Sequence, residues 1–196
     1  MIGGEIISSL LKQKLYDIEK QICKNNFETA FILDNNGAVL LCKKGNKKSV
    51  MFSKRHLSLT QGNILTHNHP FSQEHEIYNI NKSFLSSSDL VLAYQYKLSE
   101  IRMVIGNEWQ SFKWINAIKS DIQNFINHFE VLEISINAEL STHQKNLKQG
   151  IYKTTDEYFN AFRNNMDSSF LKLSEFFNDN KDIGYIFERG NFNGTI

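Results

Sequence analysis

Hydrophobic positions recur along the first part of the chain with a period that changes from helical to extended. Over residues 5–24 they fall at Ile7, Leu11, Leu15, Ile18 and Ile22, steps of three and four that place them on one helical face and predict a helix lying on a sheet. Asn25 and Asn26 end it. Residues 27–33 read as a buried strand, Asp34-Asn35-Asn36-Gly37 as a turn rich in residues that tolerate positive φ, and residues 38–43 as the returning strand. A turn at Gly45-Asn46 precedes a short third strand at 50–52. Ser53 then caps a short helix that runs to about residue 59 and stops before Gly62. Residues 64–67 form the next strand, which Pro70 terminates because proline cannot continue a central ladder.

Residues 71–85 read as a long, partly polar loop. Ser86 opens a helix through about residue 98, with Leu90, Leu92, Ala93 and Tyr96 on or near its inner side. Residues 101–105 and 109–112, joined across Gly106-Asn107, make a last hairpin. The order of elements predicts an α+β (α/β-type) domain over residues 1–113, a sheet flanked by helices.

The pattern changes after that point. Ile115, Ile118, Ile122, Phe125 or Ile126, Phe129, Leu132, Ile136 and Leu140 recur at three and four, predicting one long amphipathic helix to about Gly150. Tyr158, Phe162, Met166, Phe170, Leu173 and Phe177 predict a second helix from about Thr154. Residues 114–196 therefore read as a C-terminal helical extension: an antiparallel hairpin that covers the sheet or offers a homodimer or protein-partner surface, with loose ends after Asp179.

Composition narrows the functional classes. Lys+Arg 22 against Asp+Glu 21 gives a net charge of +1, so the charge balance lends nucleic-acid binding no support, and none is expected. Lys43, Lys44, Lys47 and Lys48 read as a solvated hairpin tip. Cys23 and Cys42 are too few for a disulfide framework or a thiolate metal site and are expected reduced and half-buried. No apolar run reaches the length of a membrane span and no signal pattern opens the chain, so the expectation is a cytoplasmic protein without membrane contact.

The chemistry concentrates in Thr66-His67-Asn68-His69-Pro70. Residues i and i+2 of a strand face the same side, so His67 and His69 can present two imidazoles to one ion. Asp89, three residues after Ser86 in the first turn of a helix, supplies a third ligand. Zinc takes such donors in a tetrahedral site and keeps a fourth position for water when catalytic. Glu28, on a neighbouring strand, is the candidate to move the proton, and Ser86 the candidate to hydrogen-bond an oxyanion or the water. Each part has a plainer reading: Ser86-x-x-Asp89 is also an ordinary helix start, and histidine pairs also satisfy turns.

Together, an upstream Glu28, His67-x-His69-Pro70 and Ser86-x-x-Asp89 resemble the JAB/MPN (JAMM) metalloprotease superfamily. The string His67-Asn68-His69-Pro70, with residues 27–31 followed by the Asp-Asn-Asn-Gly turn, is most similar to its RadC-like and phage-associated branch. The abundance of Asn, Lys and Ile is associated with AT-rich bacterial or phage genomes. The resemblance covers roughly residues 6–112. It implies a twisted mixed sheet flanked by helices, an architecture of cytidine deaminase-like type, with Zn2+ held by His67, His69 and Asp89, Glu28 as general acid/base and Ser86 assisting. The stretch between His69 and Asp89 is longer than in the usual motif, so residues 71–85 must loop out and return.

Two functions follow from this reading. One is a zinc-dependent metallohydrolase that cleaves an amide or isopeptide bond in a peptide or protein substrate, including ubiquitin-like ones. The other is a non-catalytic interaction module of a phage or mobile element, with the helical hairpin as its docking surface.

Overall fold

In the computed structural model, residues 9–70, 84–115 and 119–192 are described. Helix α1 (Ser9–Ile22) buries Leu11, Leu15, Ile18 and Ile22, the face that the spacing predicts. Strands β1 (Thr29–Leu33) and β2 (Val39–Lys44) form the first hairpin, and α2 (Lys54–Leu57) follows, capped by Ser53. Then come β3 (Ile64–Asn68), α3 (Ser87–Gln95), β4 (Glu100–Ile105) and β5 (Glu108–Trp114). The long helices α4 (Lys119–Lys148) and α5 (Thr155–Asp179) precede a last strand, β6 (Tyr185–Asn191).

The molecule is mixed α/β. One six-stranded sheet runs in the order β2-β1-β3-β4-β5-β6, parallel between β3 and β4 and antiparallel elsewhere. The parallel step is what a helical crossover permits, and α3 lies on that crossover.

Alternation divides the sheet between two cores. Ala30, Ile32, Leu65, Ile101, Met103 and Phe112 face one side, where Leu90 and Ala93 of α3, Phe125 and Phe129 of α4 and Leu173 and Phe177 of α5 complete the larger core. Leu33, Ile64 and Val104 face the other side and pack beneath α1. Between the sheet and α1, Arg102 reaches Glu19 at 2.5 and 3.0 Å and Glu100 at 2.7 Å, and Lys113 lies 3.0 Å from Glu100. Glu19 and Glu100 are both 1% exposed, so this face holds a buried, paired charge network.

Four expectations are corrected. Residues 50–52 form no strand: confined between the Asn46-centred turn and the Ser53 cap, they pack Val50 and Phe52 on the core without a ladder partner. Residues 180–192 are not loose ends but a 3-10 turn at Lys181–Ile183 and then β6, which pairs with β5 along its whole length; residues 193–196 of the expected loose end lie outside the described residues. Gly190 is required there, because a Cβ would meet the Trp109 ring at 2.7 Å. Ile115 is exposed rather than turned inward, and of the cysteines Cys23 is buried and Cys42 exposed. Ile118 and the 71–83 stretch of the expected loop lie outside the described residues. No described helix is long and apolar enough to cross a membrane.

Candidate metal centre

The site begins with the end of β3. Ala30 of β1 pairs with His67, and Met103 of β4 flanks it on the other side, so His67 is fixed in a central strand. His69 lies just beyond β3, yet its backbone N–H donates to Val104 O at 2.8 Å, which prolongs the ladder and keeps both imidazoles on one face. Pro70, with no N–H to offer, follows. The two Nε2 atoms approach to 3.2 Å, and both residues are 7% exposed.

Asp89 comes from α3. Ser86 is the N-cap of α3, and the two residues form a reciprocal capping box. The Ser86 backbone N–H and hydroxyl both donate to Asp89 Oδ2 at 2.8 Å, while Asp89 Oδ1 stands 3.5 Å from His67 Nε2. One carboxylate oxygen thus holds the helix start and the other faces the histidines. Burial works against ionisation of Asp89. The His67 and His69 imidazoles and the Ser86 hydrogen bonds outweigh it and hold the carboxyl below its ordinary range.

The donor set fits a metal ion. One ligand atom from each of His67, His69 and Asp89 lies within 4.8 Å of the others. A tetrahedral ion with ligand bonds of about 2.0–2.1 Å separates its ligand atoms by about 3.3–3.4 Å. The 3.2 and 3.5 Å separations here bracket that spacing. His67 Nδ1 is buried with no hydrogen-bond partner among the described residues, so packing and the Nε2 contacts set the ring rather than a group behind it.

Glu28 lies at the start of the neighbouring strand and is 7% exposed. Its N–H donates to Asn46 O at 2.8 Å and its carbonyl accepts from Gly45 N–H at 2.7 Å, which carries the β1–β2 ladder past Thr29. Two residues before Ala30, it falls on the histidine face by alternation, and continuing the β1–β3 register two residues beyond the Ala30–His67 pair sets it against His69. Its carboxylate is not among the three convergent ligand atoms. Ser86, the candidate donor to substrate, directs its hydroxyl to Asp89.

Some supporting residues were not singled out from the sequence. Asn68, between the histidines, faces the α1 side, where its Oδ1 accepts from Thr29 N–H at 2.7 Å and its Nδ2 donates to Phe27 O at 3.1 Å. Strand alternation alone could have assigned it this outward role. Gln110 Oε1 accepts from Leu85 N–H at 3.1 Å and Glu133 Oε2 from Ser87 N–H at 2.9 Å, contacts between distant segments that no local pattern announces. Comparison of the chain with protein-family models, with curated proteins and with solved structures finds no match.

Proposed function

We propose that this chain is a zinc-dependent hydrolase of the JAB/MPN (JAMM) type, acting on an amide or isopeptide bond of a peptide or protein. The observation that carries the reading is the grouping of one ligand atom each from His67, His69 and Asp89 within 4.8 Å of one another, with His67 Nε2 3.2 Å from His69 Nε2 and 3.5 Å from Asp89 Oδ1. Zinc, when bound by three protein ligands, supplies a Lewis acid and lowers the pKa of a coordinated water to about 7. His67 and His69 would each supply an imidazole nitrogen from positions set by the ladder, and Asp89 would bring the negative charge. Glu28, on the same face, accepts the proton of the attacking water and passes it to the leaving amine. Ser86 keeps Asp89 in place through the capping box.

The test combines metal content with catalysis. Purified protein should carry about one zinc per chain, and His69→Ala and Asp89→Ala should each lose it. Glu28→Gln should keep the zinc and lose hydrolysis of fluorogenic peptide and isopeptide substrates. Wild-type protein that binds no zinc when supplied with it would end the hydrolase reading.

A non-catalytic interaction module is the second reading, and one observation favours it: Val131 and Ile134 on α4 and Leu171 on α5 stand exposed. Such a module would keep its activity in Glu28→Gln.

A further inference from the structure

Asp89 reaches the histidines only if the turn that carries it is delivered to the right place. That turn is the first described chain after residue 83, and three successive backbone amides in it are each claimed by a different side chain. Leu85 N–H donates to Gln110 Oε1 of β5 at 3.1 Å, Ser86 N–H to Asp89 Oδ2 at 2.8 Å, and Ser87 N–H to Glu133 Oε2 of α4 at 2.9 Å. Gln110 is 2% exposed and Leu85 1%, so the first of these bonds lies inside the core. The second is the capping box. The third bridges α3 to a helix of the C-terminal hairpin.

Neither Gln110 nor Glu133 belongs to the convergent ligand group. Both grip the backbone within four residues of Asp89, from opposite elements. The Leu85 amide is buried, so leaving it without an acceptor is costly, while the part-buried Ser87 amide ties the turn to α4 through a charge-assisted bond; each grip resists displacement of the turn. The separation that displacement would change first is the 3.5 Å between Asp89 Oδ1 and His67 Nε2. The capping box alone cannot prevent this, because Ser86 and Asp89 move together as one rigid turn.

We infer that Gln110 and Glu133 are positioning residues of the metal centre, a two-sided clamp that sets where Asp89 meets His67 and makes α4 part of the site. The inference rests on the metal-binding reading above. Residues that orient a ligand from behind typically alter metal affinity about 10- to 100-fold when removed, and the clamp predicts an effect of that size.

Zinc affinity, measured on the full chain by competition with a chromophoric chelator, tests it. Glu133→Ala should weaken zinc binding about tenfold or more. Glu133→Gln, which keeps an oxygen at the same reach, should bind like wild type. Gln110→Met, similar in shape but without the acceptor, should weaken binding as Glu133→Ala does. Wild-type affinity in a folded Glu133→Ala protein would overturn the inference, and so would a Glu133→Gln protein as weak as Glu133→Ala. A wild-type protein that binds no zinc overturns the metal centre itself, whereas a zinc-binding wild type with unaffected clamp variants overturns the clamp alone.

Discussion

Asn68 and Thr29 are joined by a 2.7 Å hydrogen bond from the Thr29 backbone N–H to the Asn68 side-chain oxygen, on the side of β3 opposite the histidines. The same side chain donates to Phe27 O, so Asn68 holds both sides of Glu28 in the backbone. The residue between the two histidines therefore fixes the segment that carries the candidate acid/base. Replacing Asn68 with Ala leaves a buried amide N–H and a carbonyl without these partners. Stability should fall by roughly 1–3 kcal/mol, read as a lower denaturant midpoint at unchanged slope. An unchanged midpoint would mean that solvent replaces the clamp.

Zinc binding should be visible as stability. With zinc at about 100 times its dissociation constant, wild-type protein should gain roughly 2.7 kcal/mol, seen as a raised melting temperature, and His67→Ala should gain none. Ser86→Ala removes the N-cap of α3 and should lower stability by about 1 kcal/mol without zinc. It should also shrink the zinc-induced shift, because Asp89 loses its hydroxyl partner. A full shift in Ser86→Ala would remove Ser86 from the support of the site.

Acid should loosen the α1 side of the sheet. Burial opposes ionisation of Glu100, but Arg102, Lys113 and the Ser111 hydroxyl more than offset this and hold its carboxyl below the ordinary 4.5. A group whose folded pKa is depressed contributes stability that is present above its unfolded pKa and lost as pH falls through the folded one. Denaturant midpoints should therefore decline as pH drops below about 4.5, and Glu100→Gln should flatten that decline while lowering stability at neutral pH. An equal acid slope in both proteins would contradict the assignment. Arg102→Met, which takes the guanidinium from buried Glu19 and leaves Glu100 with Lys113 as its cation, should cost about 3–5 kcal/mol.

β6 should matter to the whole sheet rather than to the tail alone. Tyr185 stacks on Phe112 with ring centroids 4.9 Å apart, meets Phe125 at 5.1 Å, and donates its hydroxyl hydrogen to Phe177 O. Tyr185→Ala should destabilise the protein by roughly 3–5 kcal/mol, the range for emptying a buried aromatic site. Tyr185→Phe should lose only about 1 kcal/mol for the hydrogen bond. Thermal unfolding followed in the near ultraviolet would separate the two.

Local periodicity made most of this architecture legible. The steps of three and four from Leu11 to Ile22 and from Ile122 to Leu140 marked α1 and α4, because a helix that must bury one face leaves that trace in the sequence. His67 and His69 announced a shared face by strand alternation, and Ser86-x-x-Asp89 announced a helix start. β6 was hidden for a physical reason. Tyr185, Ile186 and Phe187 favour a strand, but the Glu188-Arg189-Gly190-Asn191 that follows does not, and its pairing with β5 and the packing of Gly190 under Trp109 decide the form of the whole segment. Gln110 and Glu133 left no sign either, since an acceptor for a distant backbone amide need obey no spacing rule.

The contact between Tyr16 and Phe192 bears on how the chain closes. The Tyr16 hydroxyl donates to the Phe192 carbonyl at 3.3 Å across 176 residues, and the two rings meet edge to face at 5.7 Å. The length-dependent entropy of bringing such distant points together is roughly 4–5 kcal/mol, a cost that falls once the strands between have shortened the path. The latch is therefore expected to form late in folding. The opposite run of the same logic makes it an early place to open: amides of α1 and of β6 should exchange with solvent in step, ahead of the central strands that hold the histidines.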